Sequence, residues 1–282
     1  MKIKSVNKII IYFFLTLVLL ITLFPIAYTI LSSFKSNLEI MTDPGRIFPS
    51  NPSFQNYITA WNSDEFQVKV QFFNSILYTL VSLAGTILIS SLAGYSFGKL
   101  DFPLKNVIFV AFNLLLFVKL GGISVYATFD VLNFLHMPRN LYSLMLVNLF
   151  GVPVANIYLV RSFVVGLPHS ISEAAKIDGC SVWGIYFKII LPLIKPVLAT
   201  IAVLTFNATW NDYIMPTIFT LTNPNQRTLM VGLMSLKSTG GAAANWAVML
   251  AGTTISMLPV LVAYTVCNKY FIKGIAVGAE KG

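Results

Sequence analysis

Long apolar runs separated by short polar segments dominate the chain. Six such runs cover about residues 9–31, 72–97, 106–125, 141–165, 196–221 and 246–268. Each is long enough for a helix that crosses the hydrocarbon core of a bilayer, which needs about twenty residues. None of the runs alternates apolar and polar positions with a period of two, so a transmembrane β-barrel is disfavoured. The pattern predicts an all-α polytopic membrane protein with six transmembrane helices, in a single domain over residues 1–282.

Two of the runs and one polar segment carry further structural signals. The second run is rich in serine, glycine and alanine. Such small residues let helix backbones approach closely in lipid, so we expect this helix to be buried within a bundle. The fourth run is interrupted by Gly151 and Pro153. The polar segment of residues 33–69 contains the turn signals Asp43-Pro44-Gly45, Pro49 and Pro52, and is predicted to be an external loop.

Composition and charge agree with a membrane location. Only 10% of the residues are charged, whereas a soluble domain carries about a quarter. The net charge of +9 could indicate nucleic-acid binding, but the basic residues lie at the ends of the apolar runs. With six spans, the side that holds the N-terminus carries more lysines and arginines than the opposite side. The positive-inside rule therefore places both termini and residues 167–195 in the cytoplasm.

The motifs of common enzyme classes are absent from the sequence. There is no G-x-x-x-x-G-K-[ST] phosphate loop, so the chain is not expected to hydrolyse ATP itself. The metalloprotease motif H-E-x-x-H and the nucleophile elbow G-x-S-x-G are absent too. Cys180 and Cys267 form no C-x-x-C pair, and both histidines lie next to prolines in predicted loops. We therefore expect no catalytic residue, metal site or cofactor in this chain.

The segment of residues 167–195 is a long polar interruption in the C-terminal half of the chain. Pro168 and Ser170 mark a helix start, and Ser170 with Glu173 has the spacing of a capping box. Gly179 is predicted to end this helix in a left-handed conformation. Ser181 can then cap a second short helix. Both helices are too short to cross a bilayer, so the segment should project from the membrane domain.

The residues of this segment also carry a family resemblance. The series Glu173-Ala174-Ala175, then Asp178-Gly179, then Leu191-Pro192 resembles the EAA loop of binding-protein-dependent ABC importer permeases. The resemblance implies a type I ABC importer permease fold in which this coupling loop, residues 167–195, docks on a cytoplasmic ATPase. It implies a charged contact by Glu173, a flat docking face at the two alanines and a turn at Gly179. An amphipathic loop lying at the lipid headgroups is the alternative.

Two further segments resemble the carbohydrate-uptake branch of these permeases, the maltose and multiple-sugar type. They are the first external loop, residues 48–61, and the tail, residues 270–282. The branch implies import of a sugar, with an oligosaccharide favoured. The tail glycines Gly274 and Gly278 suit an extended segment that reaches the ATPases, although an idle terminus is an equal alternative. Importers of other solutes and ion-coupled secondary transporters are the competing classes, and the latter usually show two related halves.

The resemblance also implies partners and a location. The partners are a second permease subunit, an ATP-binding cassette ATPase dimer that carries ATP and Mg²⁺, and an extracytoplasmic solute-binding protein. The location is the cytoplasmic membrane of a bacterium or archaeon.

Charged and aromatic residues within the runs suggest a substrate path. Lys119 and Asp212 lie inside predicted spans, where a charge is costly and usually faces a bundle interior or a wet cavity. Trp210, Asn211 and Asp212 could face a sugar, since aromatic rings stack on sugar rings and polar groups bind hydroxyls. The alternatives are an interfacial position for Trp210 and an Asp212–Lys119 ion pair. Three amides within the spans suit interhelical hydrogen bonds as well as substrate contacts: Asn113, Asn148 and Asn156.

Overall fold

A computed structural model of the chain describes residues 5–63, 67–117, 123–240 and 245–279. All regular structure within these ranges is helical, as the apolar runs predict. In chain order, the α-helices are α1 (Ser5–Ser32), α2 (Asn37–Thr42), α3 (Gln55–Asn62), α4 (Val68–Lys99), α5 (Lys105–Leu115), α6 (Ile123–Phe134), α7 (Leu141–Phe150), α8 (Val154–Val165), α9 (His169–Ile177), α10 (Val182–Ile185), α11 (Leu191–Leu193), α12 (Lys195–Trp210), α13 (Ile214–Phe219), α14 (Leu229–Gly240) and α15 (Trp246–Ala279). A π-helical segment, Tyr186–Ile190, joins α10 to α11, and a 3₁₀ turn occupies Pro224–Gln226.

Several helices within the described ranges are long and apolar enough to cross a membrane. They are Ile10–Ser32, Val68–Lys99, Leu141–Val165 and Trp246–Val266. A fifth span results if Val182–Leu193 and Lys195–Trp210, which meet at a bend of 72°, are counted together. The third predicted span differs, because α5 ends at Leu115 and is too short to cross alone. The count of six spans therefore stays a prediction.

Some segments differ from the sequence-based expectation. Residues 129–134 lie between the third and fourth apolar runs but belong to α6, where Leu132 is fully buried. The segment between the fifth and sixth apolar runs contains α14, which buries Val231 and Leu233. In both segments, turn-forming residues lie beside the apolar positions. The sequence pattern therefore did not show that those positions form the buried face of a helix. The backbone of α15 is helical through Ala279, so the extended conformation expected for the tail around Gly274 and Gly278 is wrong.

The contacts between residues divide the chain into two compact units. The first unit comprises the residues up to Phe72 together with Val231–Leu258. In it, the apolar side chains of α1 are mostly exposed, as expected for a helix surrounded by lipid or by other subunits. A folded segment, residues 33–57, follows α1. Asn56 holds it together, since its Nδ2 donates to the carbonyl oxygens of Ser33 at 2.7 Å and of Lys35 at 2.8 Å.

Buried and paired charges order this segment further. The Lys35 side chain is fully buried, and its ammonium donates to the carbonyl oxygen of Arg46. Glu39 accepts hydrogen bonds from the backbone N–H and the hydroxyl of Ser50, each at 2.9 Å. The bond from the Ser50 backbone N–H holds the pKa of Glu39 below its usual range. The external loop predicted here is thus a folded element with its own hydrogen bonds.

The second unit, Phe73–Met230 with the residues from Pro259 onward, contains the long part of α4. Close helix approaches explain the small residues of α4. A Cβ atom added at Gly85 would lie 2.4 Å from the backbone oxygen of Leu149 in α7, and one added at Gly94 would lie 2.5 Å from Val160 Cγ1 in α8. The close helix approach predicted for this run is therefore confirmed, and other positions such as Leu80 and Leu88 remain exposed. One hydrophobic cluster surrounds Tyr78, and a second surrounds Tyr95 and extends into the coupling loop.

Candidate functional site

The coupling loop begins with α9, which starts two residues earlier than the predicted capping box at Ser170 requires. Pro168 is the N-cap residue, and no side chain forms a capping hydrogen bond there. The capping box predicted for Ser170 and Glu173 is therefore wrong. Because His169 is already the first helical residue, Ser170 lies within the first turn, where its hydroxyl can no longer cap the free amides.

The turn after α9 has the geometry predicted for Gly179. The φ angle of Gly179 is +77°, in the left-handed region that a residue with a Cβ rarely adopts. The Gly179 N–H donates to the carbonyl of Lys176 at 3.0 Å, and the Cys180 N–H donates to that of Ala175 at 2.9 Å. These two bonds form a Schellman motif, with Asp178 as the C-cap residue. No atom of the described residues lies within 4 Å of the position that a Gly179 Cβ would occupy.

The second half of the loop is capped as predicted and is anchored on α4. The Ser181 hydroxyl accepts the N–H of Gly184 at 3.1 Å, at the start of α10. The π-helical segment that follows was not predicted, and it begins at the buried residue Tyr186. The Tyr186 hydroxyl lies 2.8 Å from the hydroxyl of Ser91, and its ring is 5.4 Å from that of Tyr95. This π-helical segment therefore connects the coupling loop to the C-terminal part of α4 through buried contacts.

The entry to the loop is also tied to α4. The Lys99 ammonium, at the last residue of α4, donates to the carbonyl oxygen of Leu167 at 2.7 Å. Arg161 in α8 donates to the carbonyl of Phe97 at 3.3 Å and lies 4.0 Å from the centre of the Phe109 ring. Both ends of the loop are thus held against the same helix.

Between these anchors, the loop exposes a mixed apolar and charged surface. Ile177 is 87% exposed and Trp183 is 62% exposed, which is far more than apolar residues of a packed loop show. Val182 and Phe187 are exposed as well. The charged residues Glu173, Lys176 and Asp178 border this surface, which we call the docking face. An exposed apolar patch with a polar border is typical of a contact surface for another protein.

The two alanines of the motif differ in their burial on α9. Ala174 is exposed, whereas Ala175 is 4% exposed and packs in the cluster with Tyr186 and Ile190. Ala175 thus lets α9 approach the helix bundle, and only Ala174 is available to the docking face. Leu191 packs against the same cluster, and Pro192 is exposed at the start of α11.

A second group of functional interest is a polar network within the helices. The Tyr78 hydroxyl of α4 donates to Asp212 Oδ2 at 2.8 Å. Asn148 of α7 donates from Nδ2 to the oxygens of Tyr78 and Ser82, each at 3.0 Å. The Asp212 carboxylate also accepts backbone N–H groups at the start of α13. The interhelical hydrogen bonding predicted for Asn148 is therefore present, and it links α4, α7 and the end of α12.

The other residues predicted to face a sugar have different surroundings. The Trp210 side chain is 5% exposed, and its ring stacks on Phe206 with centroids 5.6 Å apart. Asn211 is exposed and donates to the carbonyl oxygen of Asn207 at 2.9 Å. Lys119 lies outside the described residues, so its predicted ion pair with Asp212 stays a prediction.

Sequence reasoning did not identify Tyr78, Ser82 and Thr86 of α4 as candidates. A signal for them existed, because positions 75, 79, 82 and 86 carry hydroxyl side chains at the spacing of one helix face. A row of hydroxyl groups in a membrane helix indicates a face directed towards other polar groups.

Comparison with known proteins places the chain among transport proteins. Residues 85–277 match the family described as "Binding-protein-dependent transport system inner membrane component". The arabinooligosaccharides transport system permease protein AraQ of Bacillus subtilis is 32% identical over 99% of this chain and 97% of its own length. The galactooligosaccharides transport system permease protein GanQ of the same species is 29% identical, over 96% and 94% respectively.

A solved structure has the same fold. It is a crystal structure of a bacterial ABC transporter involved in the import of the acidic polysaccharide alginate. The matching chain superimposes with a TM-score of 0.79 at 25% identity, and the alignment covers 96% of this chain and 99% of that one.

Proposed function

This chain belongs to the family of binding-protein-dependent transport system inner membrane components, and on that premise we propose that it is a permease subunit of an ATP-driven sugar importer. Its substrate would be an oligosaccharide, as for the named relatives AraQ and GanQ. The observation that carries the proposal is the docking face. An apolar surface around Ile177 and Trp183, supported on α4 at both ends of its loop, suits a separate protein that moves the helices.

In this proposal, the coupling loop transmits motion of the ATPase to the membrane helices. Glu173 would contact a basic residue of the ATPase, and Asp178 would cap the turn or join that contact. Ala174 would keep the docking face flat, and Gly179 would maintain the angle between α9 and α10. The path inward runs from α10 through the Tyr186–Ser91 hydrogen bond to α4, and through Leu191-Pro192 to α12.

The remaining partners follow from the same proposal. A second permease subunit would complete the translocation path, and a solute-binding protein would deliver the sugar from outside. ATP and Mg²⁺ would bind the ATPase dimer, and this chain would hydrolyse nothing. Both termini would lie in the cytoplasm, where the C-terminal part of α15 with Gly274 and Gly278 would contact the ATPases.

The proposed function is tested by purifying the assembled importer with its binding protein and measuring ATP hydrolysis. We expect arabinotriose or galactotriose to stimulate hydrolysis, and we expect sn-glycerol 3-phosphate, an anionic solute, to have no effect. Stimulation by the phosphate ester alone would favour an importer of another solute. Sugar uptake that continues without ATP but requires an ion gradient would favour a secondary transporter.

The charge at Glu173 provides a sharper prediction about the docking face. Glu173→Lys should lower sugar-stimulated ATP hydrolysis by about tenfold, the usual scale for losing one partner of an interfacial charge pair. The helix α9 itself should be unaffected, because Glu173 lies on its exposed side. The exchange also replaces an attraction to Lys99, which anchors Leu167, by a repulsion. Steady-state ATPase assays on the purified complex, with co-purification of the ATPase as a second readout, measure both effects.

A matched control makes the same charge change elsewhere. Asp130→Lys alters an exposed acid on α6, away from the coupling loop, and should leave hydrolysis unchanged. Equal effects of the two variants would mean that total charge, and not the position of Glu173, controls hydrolysis.

A further inference from the structure

A cavity of about 260 Å³ lies beside the polar network of Tyr78 and Asp212. It is bounded by α4, by α12 and by the break between α7 and α8. Its lining residues are Ser82, Thr86, Asn148, Gly151, Val152, Pro153 and Thr209. Pockets for whole drug-sized ligands measure roughly 300–1,000 Å³. The cavity is open on one side, and its volume accommodates one ring of a sugar.

Several hydrogen-bonding groups that line this cavity form no hydrogen bond with other described residues. Asn148 donates hydrogen bonds from Nδ2 to Tyr78 and Ser82. Its Oδ1 accepts no hydrogen bond from the described part of the chain. The hydroxyls of Thr86 and Thr209 form no hydrogen bond there either. Ser82 accepts the bond from Asn148, which leaves its own proton for donation. The lining thus presents one amide acceptor and three hydroxyl groups.

The broken helix adds backbone groups to the same wall. α7 ends at Phe150 and α8 begins at Val154, with Gly151 and Pro153 between them. The last carbonyls of a helix have no partner within it, and Pro153 has no N–H to offer. Discontinuous membrane helices commonly form substrate sites for this reason.

The charges around the cavity select the class of ligand. None of its lining residues within the described part of the chain is charged. The charged group of the network is the Asp212 carboxylate, which accepts a hydrogen bond from the Tyr78 hydroxyl. The same hydroxyl accepts a hydrogen bond from Asn148 Nδ2. Neutral hydroxyl-rich rings match a lining of hydroxyls and an amide, whereas a phosphate or a carboxylate would be repelled by the carboxylate and would find no cation in the lining.

We infer that this cavity is a subsite for one neutral sugar ring, with Thr86, Asn148 and Thr209 as the groups that bind its hydroxyls. The inference rests on the proposed import of sugars. It adds the position at which this subunit binds the sugar and the reason why it rejects acidic sugars. Trp210 and Asn211 are not part of the subsite, since neither lines the cavity.

The test uses variants that remove a hydroxyl and keep the shape of the side chain. Thr86→Val and Thr209→Val should each lower the ratio of sugar-stimulated to basal ATP hydrolysis by about three- to tenfold, the scale of one neutral hydrogen bond. The assembled importer with its binding protein and either arabinotriose or galactotriose is the assay system. The control is Thr79→Val, on the same face of α4 but outside the cavity lining. Thr79 Oγ1 is buried without a hydrogen-bond partner in the described residues and does not line the cavity, so its loss should change nothing.

A second measurement does not depend on turnover. In a chain with Cys180→Ser and Cys267→Ser, Thr209→Cys should react with a neutral thiol reagent. Arabinotriose or galactotriose should slow that reaction, and sn-glycerol 3-phosphate should not. Protection by the phosphate ester alone would overturn the preference for neutral rings.

The outcomes separate the subsite from the general function. If sugars stimulate the unmodified importer while Thr86→Val and Thr209→Val behave like Thr79→Val, and no sugar protects position 209, the cavity holds water only and the subsite is disproved. If no sugar stimulates the unmodified importer, the proposed function itself fails and the subsite is rejected with it.

Discussion

Replacing Gly179 by valine is expected to separate ATP hydrolysis from sugar uptake. The φ angle of +77° at this residue costs an ordinary L-residue about 1–2 kcal/mol, and a β-branched residue is the least compatible. A cost of this size shifts a local equilibrium by about five- to thirtyfold. The native turn would then be a minor state, and α10 would lose its set direction relative to α9. We expect uptake per ATP to fall by about tenfold or more.

The expected loss of uptake per ATP comes from the backbone conformation at residue 179, so a second substitution at this position can serve as a control. Within the described part of the chain, no atom lies within 4 Å of the new Cβ of Gly179→Val. Asparagine tolerates the left-handed conformation better than other side chains, so Gly179→Asn should retain most of the coupling. Both variants should still insert in the membrane, because the strain is small beside the stability of a folded protein.

The measurement compares two rates in one preparation. Proteoliposomes that contain the complete importer are assayed for labelled trisaccharide uptake and for phosphate release. Normal uptake by Gly179→Val, or equal losses in the valine and asparagine variants, would refute the importance of the turn conformation.

Adding one methyl group at Gly85 is expected to destabilise the helix bundle. The Cβ of Gly85→Ala would lie 2.4 Å from the Leu149 oxygen and 2.6 Å from its Cα. Both atoms belong to the backbone, so no side-chain rotation can relieve the contact, and α4 must move away from α7. Overpacking of this kind costs typically about 1–3 kcal/mol.

The displacement should also disrupt the polar network, because Asn148 is adjacent to Leu149 and is bonded to Tyr78 and Ser82 across the same helix contact. Thermal unfolding of the purified subunit complex and uptake assays measure the two consequences. Gly45→Ala is the matched control, since no atom lies within 4 Å of its Cβ position. A Gly85→Ala protein with unchanged thermal stability would contradict the close approach of α4 and α7.

Local sequence signals were sufficient for much of the coupling loop. Gly179 was predicted to adopt the left-handed conformation and Ser181 to cap α10, and both predictions are confirmed. Such features depend on a few adjacent residues, so a short stretch of sequence specifies them. The capping box at Ser170 was wrong, since the helix begins two residues earlier and the spacing of Ser170 and Glu173 could not reveal this.

The polar network was much harder to predict. Tyr78, Asn148 and Asp212 are separated by 70 and 134 positions in the pairs that bond. Each of these residues could have a separate role on its own helix. Only the packing of α4 against α7 and α12 brings the three side chains together. For the same reason Trp210 was selected as a sugar contact although its ring stacks on Phe206.

The amino-acid sequence by itself determined that this is a helical membrane protein with a projecting loop of two short helices joined at Gly179. Apolar run length, small residues and turn chemistry are local properties, and they act before distant parts of the chain meet. Only the tertiary structure decided which face of α9 is exposed, how Tyr186 connects the loop to α4, and where Ser82, Thr86, Asn148 and Thr209 enclose a cavity. Those features arise from the rotation and approach of helices within the bundle, which the pattern of one helix leaves undetermined.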